Sequence, residues 1–228
     1  FYKKILIKFI QQVGIILQVT QGSLFLITKT EKSEVLEKIR KLSCFKNCKP
    51  PYYFPLAMDL EYKHISKLSL DQYSTNPEVN VRMDYLVTDK ADGKRCILYI
   101  ANNGRCYLLN RKENNLKIFY TGTVISDYAN SVYDGEYITK TVSGEFVQHL
   151  HLFDAYLIKG KDITSLPFGK KNSNGRHIHI INLSSYFNGS SNKVMMENSK
   201  YSLRIFSKQY YIGNETSKKI RKDTGIFE

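Results

Sequence analysis

Between residues 85 and 158 the chain is a succession of runs rich in β-branched and aromatic residues, with short turn-forming connections between several of them. Tyr85–Thr88, Ile97–Ile100, Cys106–Leu109, Ile118–Tyr120, Tyr137–Thr141 and Phe146–Ile158 carry this strand texture. Asn102-Asn103-Gly104, Lys112–Asn115 and Val142-Ser143-Gly144 supply turns between successive runs. Short connections join antiparallel neighbours, whereas a parallel pair needs a crossover of a dozen or more residues. The pattern therefore predicts antiparallel hairpins, not βαβ units.

Ahead of this region the texture is helical. Tyr2, Ile5, Leu6, Phe9, Ile10, Val13, Ile16 and Leu17 recur at three- and four-residue steps, with lysines and glutamines between them, so residues 1–20 read as an amphipathic helix packed on a neighbouring domain. Thr30 or Ser33 is expected to cap a second helix running to about Leu42, with Val35, Leu36, Ile39 and Leu42 on one face. Pro50-Pro51 breaks the pattern and marks the internal boundary. Beyond the strands, Gly169–Gly175 reads as a polar basic loop, 176–187 fits either helix or strand, and Leu203–Ile212 returns to strand texture.

Lys and Arg total 34 against 21 Asp and Glu, a net charge of +13, which calls for a polyanionic partner. At 42% hydrophobic and 24% charged the chain can bury a core, and wholesale disorder is excluded. No apolar run reaches the about 18 residues of a membrane span, so no membrane partner is expected. The first residue is Phe1, not Met, and a piece of a longer protein is expected.

The cysteines point to reduced structural thiols. Cys44 and Cys48 are spaced more loosely than a zinc knuckle, with no second pair at ligand spacing. A tight turn at Asn103-Gly104 would set Cys106 opposite Ala101 and away from Cys96. His149 with His151, and His177 with His179, have the spacing of some metal sites but lack a telling third ligand.

Asp89-Lys90-Ala91-Asp92-Gly93-Lys94-Arg95 carries the chemistry. A lysine acts as a nucleophile only as the neutral amine, and its ordinary pKa is about 10.4. A nearby cation such as Arg95, a bound metal ion or partial desolvation would favour that form. Asp92 could hold the amine, and Gly93 would let the backbone turn beside a phosphate. Standing alone, the segment also fits an exposed charged turn.

Lys90-Ala91-Asp92-Gly93-Lys94-Arg95 resembles the KxDGxR signature of the covalent nucleotidyltransferases, which include mRNA capping guanylyltransferases and ATP-dependent polynucleotide ligases. Tyr133-Asp134-Gly135-Glu136-Tyr137 resembles the DGE motif of that superfamily, and Leu152-Phe153-Asp154-Ala155-Tyr156 its following strand motif, in the same order along the chain. Tyr107-Leu108-Leu109-Asn110-Arg111 is similar to a capping-enzyme segment ending in an Asp-Arg pair, here with Asn110 for Asp. Phe54-Pro55-Leu56, Leu60, the approach Tyr85–Asp89, Asp162 and Leu166-Pro167-Phe168 look most like the capping enzymes of large cytoplasmic DNA viruses.

The resemblance implies an α+β nucleotidyltransferase fold, two antiparallel β-sheets around a nucleotide cleft with flanking helices. It implies that residues 1–48 end an upstream triphosphatase region. Residues 49–228 would be the nucleotidyltransferase domain, truncated at a fourth motif best matched by Asp223-Thr224-Gly225-Ile226-Phe227, with the C-terminal OB-fold missing. The implied activity is mRNA guanylyltransfer: Lys90 takes GMP from GTP and passes it to the diphosphate end of an RNA. Arg95 and Arg111 would contact ribose or phosphates, Phe153 would stack on guanine, and Lys208 would face the phosphates. Glu136 would serve the ribose or a metal ion, Asp134 would support its turn, and Asp154 would be a second carboxylate on the metal side. Mg²⁺ or Mn²⁺ is the implied cofactor. The partners are GTP, an RNA 5′ end and the remaining domains of a longer capping enzyme, in infected cytoplasm or the virion. A ligase adenylation domain using ATP and a non-catalytic RNA-binding remnant remain as alternatives.

Overall fold

A computed structural model describes residues 2–42, 59, 61–62, 86–112, 115–169, 175–189 and 194–212 of the chain. Cys44, Cys48, Pro50-Pro51, Phe54-Pro55-Leu56, Leu60, most of the basic loop after Gly169 and the segment Asp223–Phe227 lie outside them.

Helix α1 (Tyr2–Gln21) follows the apolar stripe, but it buries none of it: Ile5, Leu6, Phe9 and Ile16 are 51%, 57%, 61% and 64% exposed. Among the described residues no helix is long and apolar enough to cross a membrane. Helix α2 (Lys29–Arg40) buries Val35 and Ile39. Its cap is Thr28, not Thr30 or Ser33. The extended backbone of Thr28 presents Oγ1 to the Glu31 N–H at 3.0 Å, while the Ser33 hydroxyl donates back to the Lys29 carbonyl from inside the helix. Glu31 in the first turn and Lys38 and Arg40 in the last oppose the helix dipole.

The strands, all of them among the described residues, are β1 (Leu86–Val87), β2 (Lys94–Ile100), β3 (Arg105–Lys112), β4 (Asn115–Val124), β5 (Ser131–Lys140), β6 (Phe146–Ile158), β7 (Lys161–Asp162), β8 (Met195–Met196), β9 (Arg204–Ser207) and β10 (Tyr211–Ile212). The ambiguous segment after Gly175 is a helix, α3 (Arg176–Gly189). The main sheet has the order β7-β6-β5-β2-β3-β4-β8, with β9 also paired to β6. Every pairing in it is antiparallel except β6 with β9. β2 with β3, β3 with β4 and β5 with β6 are the antiparallel neighbours that the short connections predict; for the parallel pair, α3 lies in the connection from β6 to β9 and gives the length it requires.

The β2–β3 hairpin turns through Asn102, Asn103 and Gly104, with Gly104 at φ 78° and its N–H donating to the Ala101 carbonyl at 2.8 Å. This three-residue loop sets Cys106 opposite Ile100, one place from the expected partner Ala101. Cys96 and Cys106 are free, buried thiols, and burial pushes Cys96 up to about 12, so both are packing groups.

Cys96, Leu98 and Ile100 of β2 and Leu150 and Leu152 of β6 pack with Ile180, Leu183 and Phe187 of α3 in one core. The alternate residues of the same strands, beginning with Arg95, fall on the other face of the sheet. There α2 is tied to Tyr107, whose hydroxyl donates to Glu31 at 2.6 Å. The α+β class is as expected. The chain divides into two compact units, residues 1–53 with 91–207 and residues 54–90 with 208–228. In the second unit, β1 and β10 form an antiparallel ladder, Leu86 opposite Ile212 and Val87 opposite Tyr211.

Candidate functional site

The motifs recognised in the sequence fall on neighbouring strands. Arg95 of β2 is directly opposite Glu136 of β5, and Asp134 of β5 is opposite Asp154 of β6. Strand β6 advances two residues against one of β5 between Asp154 and Leu152, and again between Leu157 and Ala155. Phe153 and Tyr156 are the extra residues at these two bulges. A bulge re-aims a side chain that strict alternation would send elsewhere. The Tyr156 hydroxyl thus donates to Asp134 Oδ2 at 2.5 Å, and the Arg95 guanidinium lies 5.8 Å from the Phe153 ring centroid.

Asp134 is fully buried. Arg95 donates to it from Nε at 3.1 Å and from Nη2 at 2.5 Å. Burial pushes the Asp134 carboxyl up from its ordinary range, against the pull of the guanidinium and the tyrosine hydroxyl. Burial also opposes the charge on Arg95, but the hydrogen bonds and charge of Asp134 outweigh it and raise the arginine's pKa. Burial, then the Asp134 charge, raises Tyr156, which keeps its proton and remains a donor. Beyond flanking Glu136 in its strand, Asp134 anchors the arginine of the first motif.

Gly93 sits at a bend just before β2. A Cβ there would stand 2.7 Å from the Tyr137 carbonyl oxygen and 2.9 Å from Glu136 Cγ, so only glycine lets β2 start this close to β5. Asp92 is exposed and Glu136 is half-buried. Asp154 accepts two hydrogen bonds from Arg176, Nε to Oδ1 at 2.8 Å and Nη2 to Oδ2 at 3.1 Å. Arg176 also donates to the Leu166 carbonyl at 2.5 Å, so it pins the segment after β7 to β6.

The sequence does not single out Arg176, and it includes Tyr156 in the third motif without a role of its own. Arg176 opens an ambiguous segment 22 positions beyond Asp154, and Tyr156 is re-aimed by a bulge that no residue pattern announces. Arg111 lies in β3 opposite Leu116, and its side chain is outside the described residues.

Lys90 belongs to the second unit and is exposed; the division between units falls between it and Ala91. In that unit the Lys208 ammonium donates to the Asp89 carbonyl at 3.0 Å, so the second lysine is held at the residue before Lys90. A groove of about 330 Å³ in the first unit lies at the opposite end of β2, lined by residues including Glu31, Lys38, Asn103, Arg105 and Tyr107, away from Arg95, Asp134 and Asp154.

Residues 26–225 match a family model described as mRNA capping enzyme, catalytic domain. The chain belongs to that family. The capping-enzyme domain is a nucleotidyltransferase, an mRNA guanylyltransferase whose substrate is GTP. Among its described residues no three His, Cys, Asp or Glu side chains converge as a metal cage. Magnesium, however, is often held by one or two carboxylates with substrate phosphates and waters completing the shell. Glu136 fits that demand, because its carboxylate makes no hydrogen bond or ion pair with a described residue. Both oxygens of Asp154 are held by Arg176.

Proposed function

We propose that Lys90 is the nucleophile of this guanylyltransferase. Its neutral Nζ attacks the α-phosphorus of GTP, a P–N bond forms, the bond to the bridging oxygen breaks, and pyrophosphate leaves. In the second half-reaction the terminal phosphate oxygen of a diphosphate RNA end attacks the same phosphorus and restores the amine. The observation that carries this reading is the ladder between the first two motifs. Lys90 stands five residues before Arg95 in the chain, and Arg95 is directly opposite Glu136.

Each remaining residue acts by its chemistry. Arg95, kept charged and oriented by Asp134, attracts the ribose or phosphates, and Arg111 of β3 has the same role. Lys208, held at the Asp89 carbonyl, adds positive charge for the nucleotide phosphates. Asp92 orients the amine, Gly93 keeps β2 close to Glu136, and Phe153 stacks on guanine. A divalent ion, Mg²⁺ or Mn²⁺, supplies charge neutralisation at the phosphates when bound, and Glu136 is the carboxylate that would hold it. Asp154 acts through Arg176 as a positioning residue.

Tyr107–Arg111 supports a capping enzyme, and the approach Tyr85–Asp89 with Asp162 and Leu166-Pro167-Phe168 supports one of the large DNA virus type. It would work on RNA 5′ ends in infected cytoplasm or the virion, with further domains of a longer enzyme. Incubation with a divalent ion and α-labelled GTP or ATP tests the reading. Label retained from GTP with release of pyrophosphate, and lost in Lys90→Ala, is expected; label retained from ATP alone would overturn it.

A further inference from the structure

Four adjacent strands place one residue each in a row that continues beyond the catalytic motifs. Arg95 is opposite Glu136, Glu136 is opposite His151, and His151 is opposite Phe206 on β9. Residues paired in this way project from the same face of a sheet, so the four side chains form a transverse line. Along β6 and β9 the next pair on that face is His149 with Arg204.

The rings in this patch are arranged as a surface. His151 stacks on Phe206 with centroids 5.2 Å apart and an interplanar angle of 28°. His149 meets the same phenyl ring edge-on at 4.9 Å. All three are partly exposed, and Arg204 is exposed beside them. Burial and the neighbouring Arg204 charge lower the His149 pKa, so near neutral pH its ring is uncharged. The two histidines do not form a metal site with a third acidic, His or Cys ligand among the described residues.

We propose that His149, His151, Phe206 and Arg204 form a stacking platform for the first bases of the acceptor RNA. Single-stranded RNA is recognised by stacking of its bases on Phe, Tyr, Trp, His or Arg planes. The platform is continuous with Glu136, two strand spacings or about 10 Å from Phe206. Its exposed charge is Arg204, and the chain carries a net charge of +13, which suits a polyanion and opposes a basic partner. The occupant is therefore an RNA end next to the nucleotide that Arg95 and Glu136 serve, an inference that rests on the proposed guanylyl transfer to RNA.

The test separates the two. A fluorescent RNA with a 5′-diphosphate is titrated into the full chain as wild type, His151→Leu, His151→Phe and Arg204→Gln, and into the double variant His151→Ala with Phe206→Ala. An RNA lacking the base of its first two nucleotides is the second probe. The double variant is expected to lose affinity about tenfold or more, as removal of a stacked base partner does elsewhere. His151→Leu should weaken binding and His151→Phe should keep it, a contrast that survives if the double variant does not fold. The loss should vanish with the abasic probe, and Arg204→Gln should lower the salt dependence of binding. Equal RNA affinity across the ring variants would overturn the platform. So would a parallel fall in GTP-dependent labelling of a folded ring variant, which would give the rings to the guanine nucleotide. RNA binding that depends on the rings in a protein that GTP never labels would leave the platform standing and remove the proposed chemistry.

Discussion

Two clusters of arginine, carboxylate and tyrosine lie on the same face of the main sheet, and they do different work. In Arg95–Asp134–Tyr156 the acid sits at the centre, on a middle strand, with 0% of its side chain exposed and donors from two other strands. In Arg105–Glu31–Tyr107 the acid comes from α2, its side chain is 27% exposed, and the ion-pair distance lengthens to 3.2 Å. Arg105 leaves Nε without a partner among the described residues and lies instead 3.8 Å over the Tyr120 ring. The first cluster fixes motif residues against one another; the second clips a helix to a sheet. A buried ion pair is a weak source of stability but a strong constraint on geometry, because breaking it strands a charge. The same three residue types thus serve as scaffold or clip according to which member is buried.

Asp134→Ala gives the largest expected effect. It leaves Arg95 and the Tyr156 hydroxyl without their shared acceptor and should cost about 3–5 kcal/mol in urea unfolding, with guanylylation lost. A cost no greater than that of the α2 cluster would erase the distinction. Gly93→Ala should cost about 1–3 kcal/mol, since its Cβ meets the backbone oxygen of Tyr137 and one of the two strands must move. Lys90 labelling by GTP should fall more than stability does; an unchanged rate would show that the spacing of β2 from β5 does not matter to the reaction.

Tyr156→Phe should remove about 1.5–3 kcal/mol, the range for a hydrogen bond to a charged group, and should alter the alkaline limb of the stability curve. The folded pKa of Tyr156 is raised above the ordinary 10, so its share of stability is present below pH 10 and is lost as pH rises further. Unfolding measured between pH 8 and 11 should therefore fall less steeply in the variant; parallel curves would contradict a buried, protonated donor. Glu31→Ala is the smallest, about 1 kcal/mol or less because Glu31 and Arg105 are partly solvated, with guanylylation retained. A loss as large as that of Asp134→Ala would make the clip part of the scaffold.

Much of this organisation was legible in the sequence, and the boundary of legibility is physical. The hairpins could be read because strand texture and turn residues alternate locally. The motifs could be read because Lys90 to Arg95 and Asp134 to Glu136 are contiguous. Cys106 was placed one residue off, because the turn takes Gly104 into the left-handed region and lengthens the loop. The stretch that became α3 carries apolar residues at both helical and strand spacings, so only tertiary packing of Ile180, Leu183 and Phe187 decides it. The grip of Arg95 on Asp134 and of Arg176 on Asp154 joins residues 39 and 22 positions apart, through a strand pairing and a connection that local pattern does not encode.

The most direct measurement is the site of the covalent nucleotide. Wild-type protein incubated with GTP and Mg²⁺ or Mn²⁺ is digested, and the adduct is located by mass spectrometry of the peptides. The account predicts a single phosphoramidate-linked GMP on Lys90, absent after Lys90→Arg and discharged by a diphosphate RNA. GMP carried on Lys94, Lys208 or another residue while Lys90 stays unmodified would contradict it.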